Sequence, residues 1–246
     1  MKKIFFCFLA FLLILVENTS FAFSEKDLPT EKEYLELIQE GVLDRTISFK
    51  QFYDFQKDSI LAEKELEKEA KELESIPITR SASGGYKLQA GDIFVTNGYR
   101  SKDIIGHAGI VISSKKILSI NGVGTNPSLM TLNDWVDKYV NKKGQWINVY
   151  RYKYSSDALK AAKWAIANYV TKNSKATYFI TANYESTNPT YCSKIVWQAY
   201  RYGIPKKDII YPTVRSSTGV TRYIPISPLR LSHYINPTKL VKQFKK

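Results

Sequence analysis

The chain has 246 residues, a net charge of +13, two cysteines and two histidines. So few cysteines cannot hold a small fold together by internal disulfides, and no spacing typical of zinc ligands is present. A basic chain attracts polyanions, but the absence of a helix-turn-helix pattern and the scatter of the basic residues exclude a nucleic-acid partner. No metal or other cofactor is expected.

Residues 1–22 have the pattern of a signal peptide. Two lysines precede the apolar run 4–16, and Ser20 and Ala22 are small residues of the kind that a signal peptidase reads. The run is shorter than the roughly 20 residues that a membrane span needs. We therefore expect an exported protein, extracellular or associated with the cell envelope, with an uncut leader acting as an anchor as the alternative. Cleavage would remove Cys7 and leave Cys192 as the sole cysteine.

Residues 23–85 form an acidic extension, with a net charge of −6 against +18 for residues 86–246. The pattern predicts helix from about residue 25 to residue 75, with a capping box between Ser48 and Gln51. We expect this extension to dock on the basic domain; a coiled-coil arm, a solvated helix and an inhibitory segment over the site are alternatives. Pro77 ends the pattern, and residues 81–85 read as a flexible connector. The apolar stripe consists of Phe52, Phe55, Ser59, Ala62, Leu66, Ala70 and Leu73.

Residues 86–246 are predicted to form one α+β domain. Strand-like runs cover residues 92–96, 108–113, 116–120 and 145–152. Two helices follow, capped by Ser156 and Thr190, the first with Leu159 on its apolar face and the second ended by Gly203 and Pro205. Further short strand-like pieces lie among the prolines of residues 221–236. Strands followed by helices favour a mainly antiparallel sheet packed on helices.

Cys192 is the residue that most suggests chemistry. It is predicted as the second residue of its helix, where free N–H groups and the helix dipole favour an anion and lower a thiol pKa. The alternative is an ordinary buried cysteine. A thiol nucleophile needs a base, and His107 opens an apolar strand between two small residues, Gly106 and Ala108. His233 has no such setting and is read as a structural or surface residue.

A catalytic histidine also needs a partner that orients its ring. Ser119 and Asn121 share one face of the next predicted strand, so either could be the third residue. Neither is a carboxylate, so stabilisation of an imidazolium would be weaker than with an aspartate. Tyr191 is a further candidate that could assist at the oxyanion, although a tyrosine at this position usually packs.

Three blocks, in this order, resemble the circularly permuted NlpC-type papain-like hydrolases, and within them the YiiX/YycO-like amidase group. They are Leu88-Gln89-Ala90-Gly91-Asp92-Ile93-Phe94, Gly106-His107-Ala108-Gly109-Ile110-Val111 and Tyr191-Cys192-Ser193-Lys194-Ile195-Val196-Trp197-Gln198-Ala199-Tyr200. The resemblance implies a permuted papain-like fold and hydrolysis of an amide or peptide bond, with Cys192 as nucleophile and His107 as base. Two positions depart from the group, which often has acidic residues where Lys194 and Ser119 stand.

The leading functional hypothesis is therefore an exported cysteine peptidase or amidase that cleaves cell-wall peptide or an acyl-amide. The domain boundaries expected are 1–22 for the signal peptide, 23–85 for the acidic extension and linker, and 86–246 for the papain-like hydrolase domain. The alternative hypothesis is a basic module without catalytic activity that binds an anionic wall polymer or lipid.

Overall fold

The computed structural model describes residues 28–72, 86–101, 104–205, 209–215 and 219–246. The predicted leader with its cleavage site, Cys7, and the connector at residues 81–85 lie outside these ranges.

A six-stranded sheet forms the centre of the fold, with the strand order β4-β3-β2-β1-β5-β8. Each neighbouring pair is antiparallel, which confirms the predicted sheet type. A separate two-stranded hairpin, β6–β7, lies outside this sheet. The strands are β1 (Ile93–Ser101), β2 (Ile104–Ser113), β3 (Lys116–Ser119), β4 (Ser128–Met130), β5 (Trp146–Tyr152), β6 (Thr213–Arg215), β7 (Thr221–Tyr223) and β8 (Thr238–Lys245).

Helices cover both faces of the sheet. One face packs on α2, α4 and α5, and the other packs on α3. Because successive side chains of a strand point to opposite faces, Ile93 and Val95 join the first core and Phe94 joins the second. The helices are α1 (Glu31–Gln39), α2 (Phe49–Glu72), α3 (Leu132–Tyr139), α4 (Ser155–Ala165), α5 (Cys192–Gly203) and α6 (Leu231–Tyr234); a π-helical segment (Ile166–Lys172) extends α4 and a 3-10 turn (Pro228–Arg230) precedes α6. The α+β fold class with a helical extension is thus confirmed.

The acidic extension docks on the domain as predicted. The Ser48 and Gln51 side chains form the expected reciprocal cap at the start of α2. From Phe52 to Ala70 every predicted stripe residue is buried, and Leu73 lies outside the described residues. Arg230 pairs with Asp58 at 2.9 Å and with Glu65, so acidic groups of α2 do meet a basic group of the domain. The helix is therefore part of the core rather than a solvated arm.

Two predicted helix starts are wrong. Helix α4 begins at Ser155 after Tyr154, and helix α5 begins at Cys192 after Tyr191, in both cases without a side-chain cap. The Thr190 hydroxyl instead lies 3.1 Å from the Tyr169 hydroxyl, within hydrogen-bonding distance. Leu159, which was expected on the apolar face of α4, is instead 44% exposed.

The face of α4 that is buried is a row of small residues, which allows α5 to approach closely. At Gly203 of α5, a Cβ atom would lie 2.8 Å from the Ala161 Cα atom of α4. Gly203 ends α5 as predicted, and this contact gives the glycine a second role, because close approach of two helices requires a missing side chain. The row consists of Ala158, Ala161, Ala162 and Ala165.

Candidate functional site

Cys192 is the first residue of α5, and this helix is buried on all sides. Residues 192–200 are all buried, including the polar Ser193, Lys194 and Gln198. Gln198 can be buried because its side-chain amide donates hydrogen bonds to the Ser186 carbonyl at 3.1 Å and to the Tyr184 carbonyl. An all-round buried helix fixes the position of its first residue firmly, so the thiol stands at a rigid point of the fold.

The surroundings of the thiol keep it protonated. Burial raises the pKa of the Cys192 thiol to about 11, although the backbone N–H groups of Ala108 and Ser193 are hydrogen-bonded to the sulfur and act in the opposite direction. The sequence predicts a lowered pKa for Cys192 at a helix N-terminus, and this prediction is wrong. Desolvation of the anion outweighs the stabilisation by the N–H groups because the side chain is almost completely enclosed.

His107 lies on β2 at a point where two glycines make room. Gly106 has φ +88, and a Cβ atom there would lie 2.9 Å from Leu229. At Gly109 a Cβ atom would lie 2.7 Å from the Trp135 ring, which stacks on the imidazole with centroids 5.4 Å apart. Trp135 can therefore reach the histidine only because position 109 carries no side chain.

Three aromatic side chains enclose the imidazole. Besides Trp135, the rings of Tyr99 and Tyr139 lie 5.1 Å and 5.0 Å from that of His107. Burial lowers the pKa of His107 to about 3, the Lys138 ammonium group acts in the same direction, and a hydrogen bond with the Asn121 side chain opposes it. The ring is consequently neutral at physiological pH and carries one proton on one of its two nitrogens.

The contacts of Ser119 determine which nitrogen carries that proton. The Ser119 Oγ atom donates to the Ala108 carbonyl at 2.6 Å and lies 3.0 Å from His107 Nε2. A hydroxyl has one proton, and a carbonyl oxygen can only accept, so Oγ must accept from Nε2–H. Nδ1 is then unprotonated, and its lone pair is available to take a proton.

Asn121 is also at the ring, so the structure brings both proposed third residues to His107. Its side chain hydrogen-bonds the imidazole and favours the charged form. The Tyr139 hydroxyl donates to Asn121 Oδ1 at 2.8 Å, and the Tyr99 hydroxyl donates to the Asn121 carbonyl. Two tyrosines therefore hold Asn121 in place. Ser119 differs in that the direction of its hydrogen bond with His107 can be deduced.

The thiol and the imidazole reach the same part of β2 from different sides. Cys192 belongs to the core on the α5 face, whereas the rings around His107 belong to the core on the α3 face. The backbone N–H that binds the sulfur is that of Ala108, the residue directly after His107. Because β3 ends at Ser119, beside this position, the edge of β2 is open to the sulfur there.

Three tyrosines lie close enough to Cys192 for a charge on its sulfur to raise their pKa values. The pKa values of Tyr139, Tyr178 and Tyr191 are raised mainly by burial and further by Cys192. Tyr191 uses its hydroxyl on two backbone groups, donating to the Thr181 carbonyl at 3.1 Å and accepting from the Ile226 N–H at 2.9 Å. These bonds fit the packing interpretation of Tyr191, and its assistance at the oxyanion stays a prediction.

Tyr178 is a site residue that sequence reasoning missed. A bridge pairs it with Thr190, two residues before the cysteine, and the Thr190 N–H donates to the Thr177 carbonyl at 3.0 Å. No spacing rule connects it to Cys192, because an irregular loop separates the two in the chain. The sequence likewise did not indicate that Tyr99 of β1 and Trp135 and Tyr139 of α3 would lie around His107, because only the packing of α3 on the sheet brings these rings together.

The other candidates lie elsewhere. His233 is exposed on α6, as expected of a surface residue. Lys194 is fully buried with its Nζ atom donating to the Pro189 carbonyl at 3.0 Å, and burial lowers its pKa to about 8. Within the described ranges, no group of three or more His, Cys, Asp or Glu side chains is arranged to hold a metal ion.

Comparison with known proteins gives a family and one relative. A family profile described as "Lipoprotein N-acylation protein LnsA-like" matches residues 60–224. An uncharacterized 30.3 kDa protein of Bacillus thuringiensis is 31% identical over 243 residues, which cover 85% of this chain and 90% of that protein. The matched range includes the three blocks that carry His107 and Cys192.

Among solved structures, the crystal structure of the metalloprotein yiiX from Escherichia coli O157:H7 is similar, with a TM-score of 0.46 and 15% identity. The match covers 65% of this chain and all of that one. A likeness of this size is too weak to carry the identification as a permuted papain-like protein, which stays a prediction.

Proposed function

This chain belongs to the family of LnsA-like lipoprotein N-acylation proteins, and we propose that it transfers an acyl group through a thioester on Cys192. Membership of this family connects the chain with acylation chemistry and with the cell envelope. No helix in the described part of the chain is long and apolar enough to cross a membrane. The predicted signal peptide would supply the route to the envelope.

The observation that carries the proposal is that the Cys192 sulfur, at the start of α5, is bound at the same part of β2 that carries His107. The Ser119 contact leaves His107 Nδ1 unprotonated, and the Ala108 N–H, one residue further along the strand, binds the Cys192 sulfur. A base that has a free lone pair and a thiol that is still protonated are the two components of general-base activation.

In the first half-reaction, the sulfur attacks the acyl carbon of an ester or amide while Nδ1 takes the thiol proton. An S–C bond forms, the bond between the acyl carbon and the leaving group breaks, and the proton passes from the imidazolium to the leaving group. Because both groups are neutral before attack, the proton moves together with bond formation rather than resting in an ion pair. Ser119 and Asn121 hold the ring while it is charged.

In the second half-reaction, an amine attacks the thioester while His107 Nδ1 takes a proton from the amine nitrogen. The C–N bond forms, the C–S bond breaks, and the imidazolium passes that proton to the sulfur. Water in place of the amine gives hydrolysis, which is the amidase activity that the sequence suggested for an acyl-amide or cell-wall peptide. The same residues serve both reactions, so the acceptor decides between transferase and hydrolase.

The tetrahedral intermediate needs donors for its oxyanion. We assign this role to the Cys192 backbone N–H at the start of α5 and to the Tyr178 hydroxyl, which lies within electrostatic reach of the sulfur. A Tyr178→Phe variant keeps the ring and removes the hydroxyl. It should lower the acylation rate by about 100- to 1,000-fold if the hydroxyl stabilises the oxyanion.

The test is to trap the acyl-enzyme. The purified protein is incubated with an acyl ester and an acyl-amide, and intact mass is measured before and after hydroxylamine, which cleaves thioesters. We expect an acyl adduct on the parent protein, none on Cys192→Ala, and a strongly reduced rate for His107→Asn. A matched control is His233→Asn, which changes the only other histidine, lies on the surface, and should acylate like the parent.

One observation favours the alternative, a basic binding module without catalytic activity. The raised pKa of Cys192 is typical of a buried structural cysteine. That alternative predicts no hydroxylamine-sensitive adduct with any acyl donor, and unchanged polyanion binding by Cys192→Ala.

A further inference from the structure

The hairpin β6–β7 differs from the rest of the fold because it stands apart from the central sheet. Every described residue from Gly219 to Tyr223 is exposed, on both faces of β7. The hairpin is held on the domain through Tyr223, whose ring packs on Tyr184 and whose carbonyl accepts from the Gln51 side chain, while its other described side chains stay largely exposed. Its neighbours on the chain add to this exposed surface, since Ile210 is 44% exposed.

The exposed side chains are of two kinds. Val220 and Tyr223 are 51% and 52% exposed, which is unusual for apolar and aromatic residues on one small element. Arg215 and Arg222 lie on the paired strands, and Arg222 is opposite Val214 in the register. Because side chains alternate along a strand, Arg215 and Tyr223 lie on one face of the hairpin and Arg222 on the other, so these groups surround the hairpin. We call the group of Ile210, Arg215, Val220, Arg222 and Tyr223 the hairpin surface.

No ion pair joins Arg215 or Arg222 to a carboxylate anywhere in the ranges that the structure describes. The nearby acidic groups of α2 already have partners, because Asp58 pairs with Arg230 and Asp54 pairs with Lys50 at 2.8 Å. The sequence from Ile209 to Lys246 contains no aspartate or glutamate at all.

We infer that the hairpin surface docks the protein on an anionic lipid bilayer. Apolar and aromatic side chains that stand between arginines are suited to the interface, where the rings enter the headgroup layer and the cations meet lipid phosphates. A soluble anionic polymer would use the arginines but would leave the valine, isoleucine and tyrosine without a role. The inference rests on the proposed function, because an enzyme of lipoprotein acylation must reach substrates that are held in a membrane.

The hairpin is also connected to the site. The Tyr223 ring packs on Tyr184, with centroids 5.3 Å apart, and Tyr184 lies in the loop that leads to Cys192. The Ile226 N–H, three residues after β7, donates to the Tyr191 hydroxyl next to the cysteine. Docking by the hairpin would therefore hold the loop in front of α5 near the membrane surface.

The test is sedimentation of the full protein with vesicles of phosphatidylcholine alone and of phosphatidylcholine mixed with phosphatidylglycerol. We expect binding to the mixed vesicles. Arg215→Gln combined with Arg222→Gln should weaken it roughly 20- to 30-fold, since each arginine near an anionic surface contributes on the order of 1 kcal/mol. Val220→Ser should weaken it at least about threefold through the loss of buried apolar area.

Matched controls remove the same groups elsewhere. Lys142→Gln combined with Lys143→Gln deletes two exposed charges in the turn after α3, and Leu159→Ser deletes an apolar side chain of similar exposure on α4. Both should bind vesicles like the parent. Equal loss in the lysine pair would show that net charge alone drives binding, and would overturn the assignment to the hairpin surface.

Two further results separate this inference from the proposed function. Cys192→Ala should bind vesicles fully, so docking can stand even if no acyl-enzyme forms. Binding to soluble polyglycerol phosphate with no binding to mixed vesicles would overturn the inference, whatever the acylation result. A circular dichroism spectrum like that of the parent ensures that a loss of binding reflects the altered surface.

Discussion

The reactivity of Cys192 should rise steeply with pH. Burial raises the thiol pKa to about 11, so about one molecule in 10⁴ carries the thiolate at pH 7. An ordinary cysteine with a pKa of about 8.5 is about 3% thiolate at the same pH. The alkylation rate of Cys192 should therefore be about 300-fold below that of an exposed thiol at pH 7 and increase about tenfold per pH unit up to pH 10.

The assay is the rate of reaction with iodoacetamide between pH 5 and pH 10, followed by intact mass. Protein unfolded in urea is the control, because its thiol should show the ordinary profile with a midpoint near 8.5. His107→Gln should leave the folded profile unchanged, since a neutral histidine provides no charge to stabilise a thiolate. A plateau with a midpoint below about pH 7 would refute the reasoning, because it requires a resting thiolate–imidazolium pair that burial should prevent.

Three further predictions concern stability, each measured by urea unfolding. Burial lowers the pKa of His107 to about 3 from about 6.5, so between these pH values the unfolded state binds a proton that the folded state does not. The free energy of unfolding should therefore fall by up to about 1.4 kcal/mol per pH unit below pH 6.5. A His107→Gln variant should lose this contribution to the slope. Burial lowers the pKa of Lys194 to about 8, and its ammonium group has one carbonyl partner, so its buried charge opposes folding most at or below pH 8. Lys194→Met should therefore raise the free energy of unfolding at pH 7 by about 1–3 kcal/mol. A decrease at that pH would show that the ammonium group makes a stabilising contact. Arg230→Gln should cost about 1–2 kcal/mol by leaving Asp58 without its partner in a partly buried site, whereas Lys50→Gln, which removes an exposed pair, should cost about 0.5 kcal/mol or less.

The sheet and the docked extension could be predicted because their patterns are local. The apolar run along residues 108–113 reflects a strand that is buried on both faces, and the stripe from Phe52 to Ala70 reflects a helix that is buried on one face. Helix α3 was not predicted because it has eight residues, although Thr131 and Asp134 form a capping box at its start. Strand β8 was missed since its exposed edge is rich in lysine, which hides the alternation.

The site was predictable where it depends on residue chemistry and not where it depends on tertiary contacts. His107, Ser119 and Asn121 meet because β2 and β3 are adjacent, and parity along a strand was enough to select them. The thiol pKa was predicted in the wrong direction because the helix N-terminus is a local feature, whereas the enclosure of α5 is a property of the whole fold. Tyr178 and Trp135 needed the three-dimensional arrangement, since each is brought to the site by an element of irregular or short sequence.

Enclosure of the site bears on which acceptor the thioester would meet. Trp135, Tyr99 and Tyr139 surround the imidazole, and Tyr178 lies near the sulfur, so the volume next to the reactive atoms is bounded by aromatic carbon. Several polar groups on these walls are already hydrogen-bonded within the protein, since the Tyr99 and Tyr139 hydroxyls donate to Asn121 and Ser119 donates to the Ala108 carbonyl. An ordered water needs two to four polar partners to occupy a site stably. On the proposed pathway, the thioester would therefore persist until an amine that brings its own binding energy displaces the sulfur. The enclosure that raises the pKa of the Cys192 thiol is thus the feature that would favour transfer over hydrolysis.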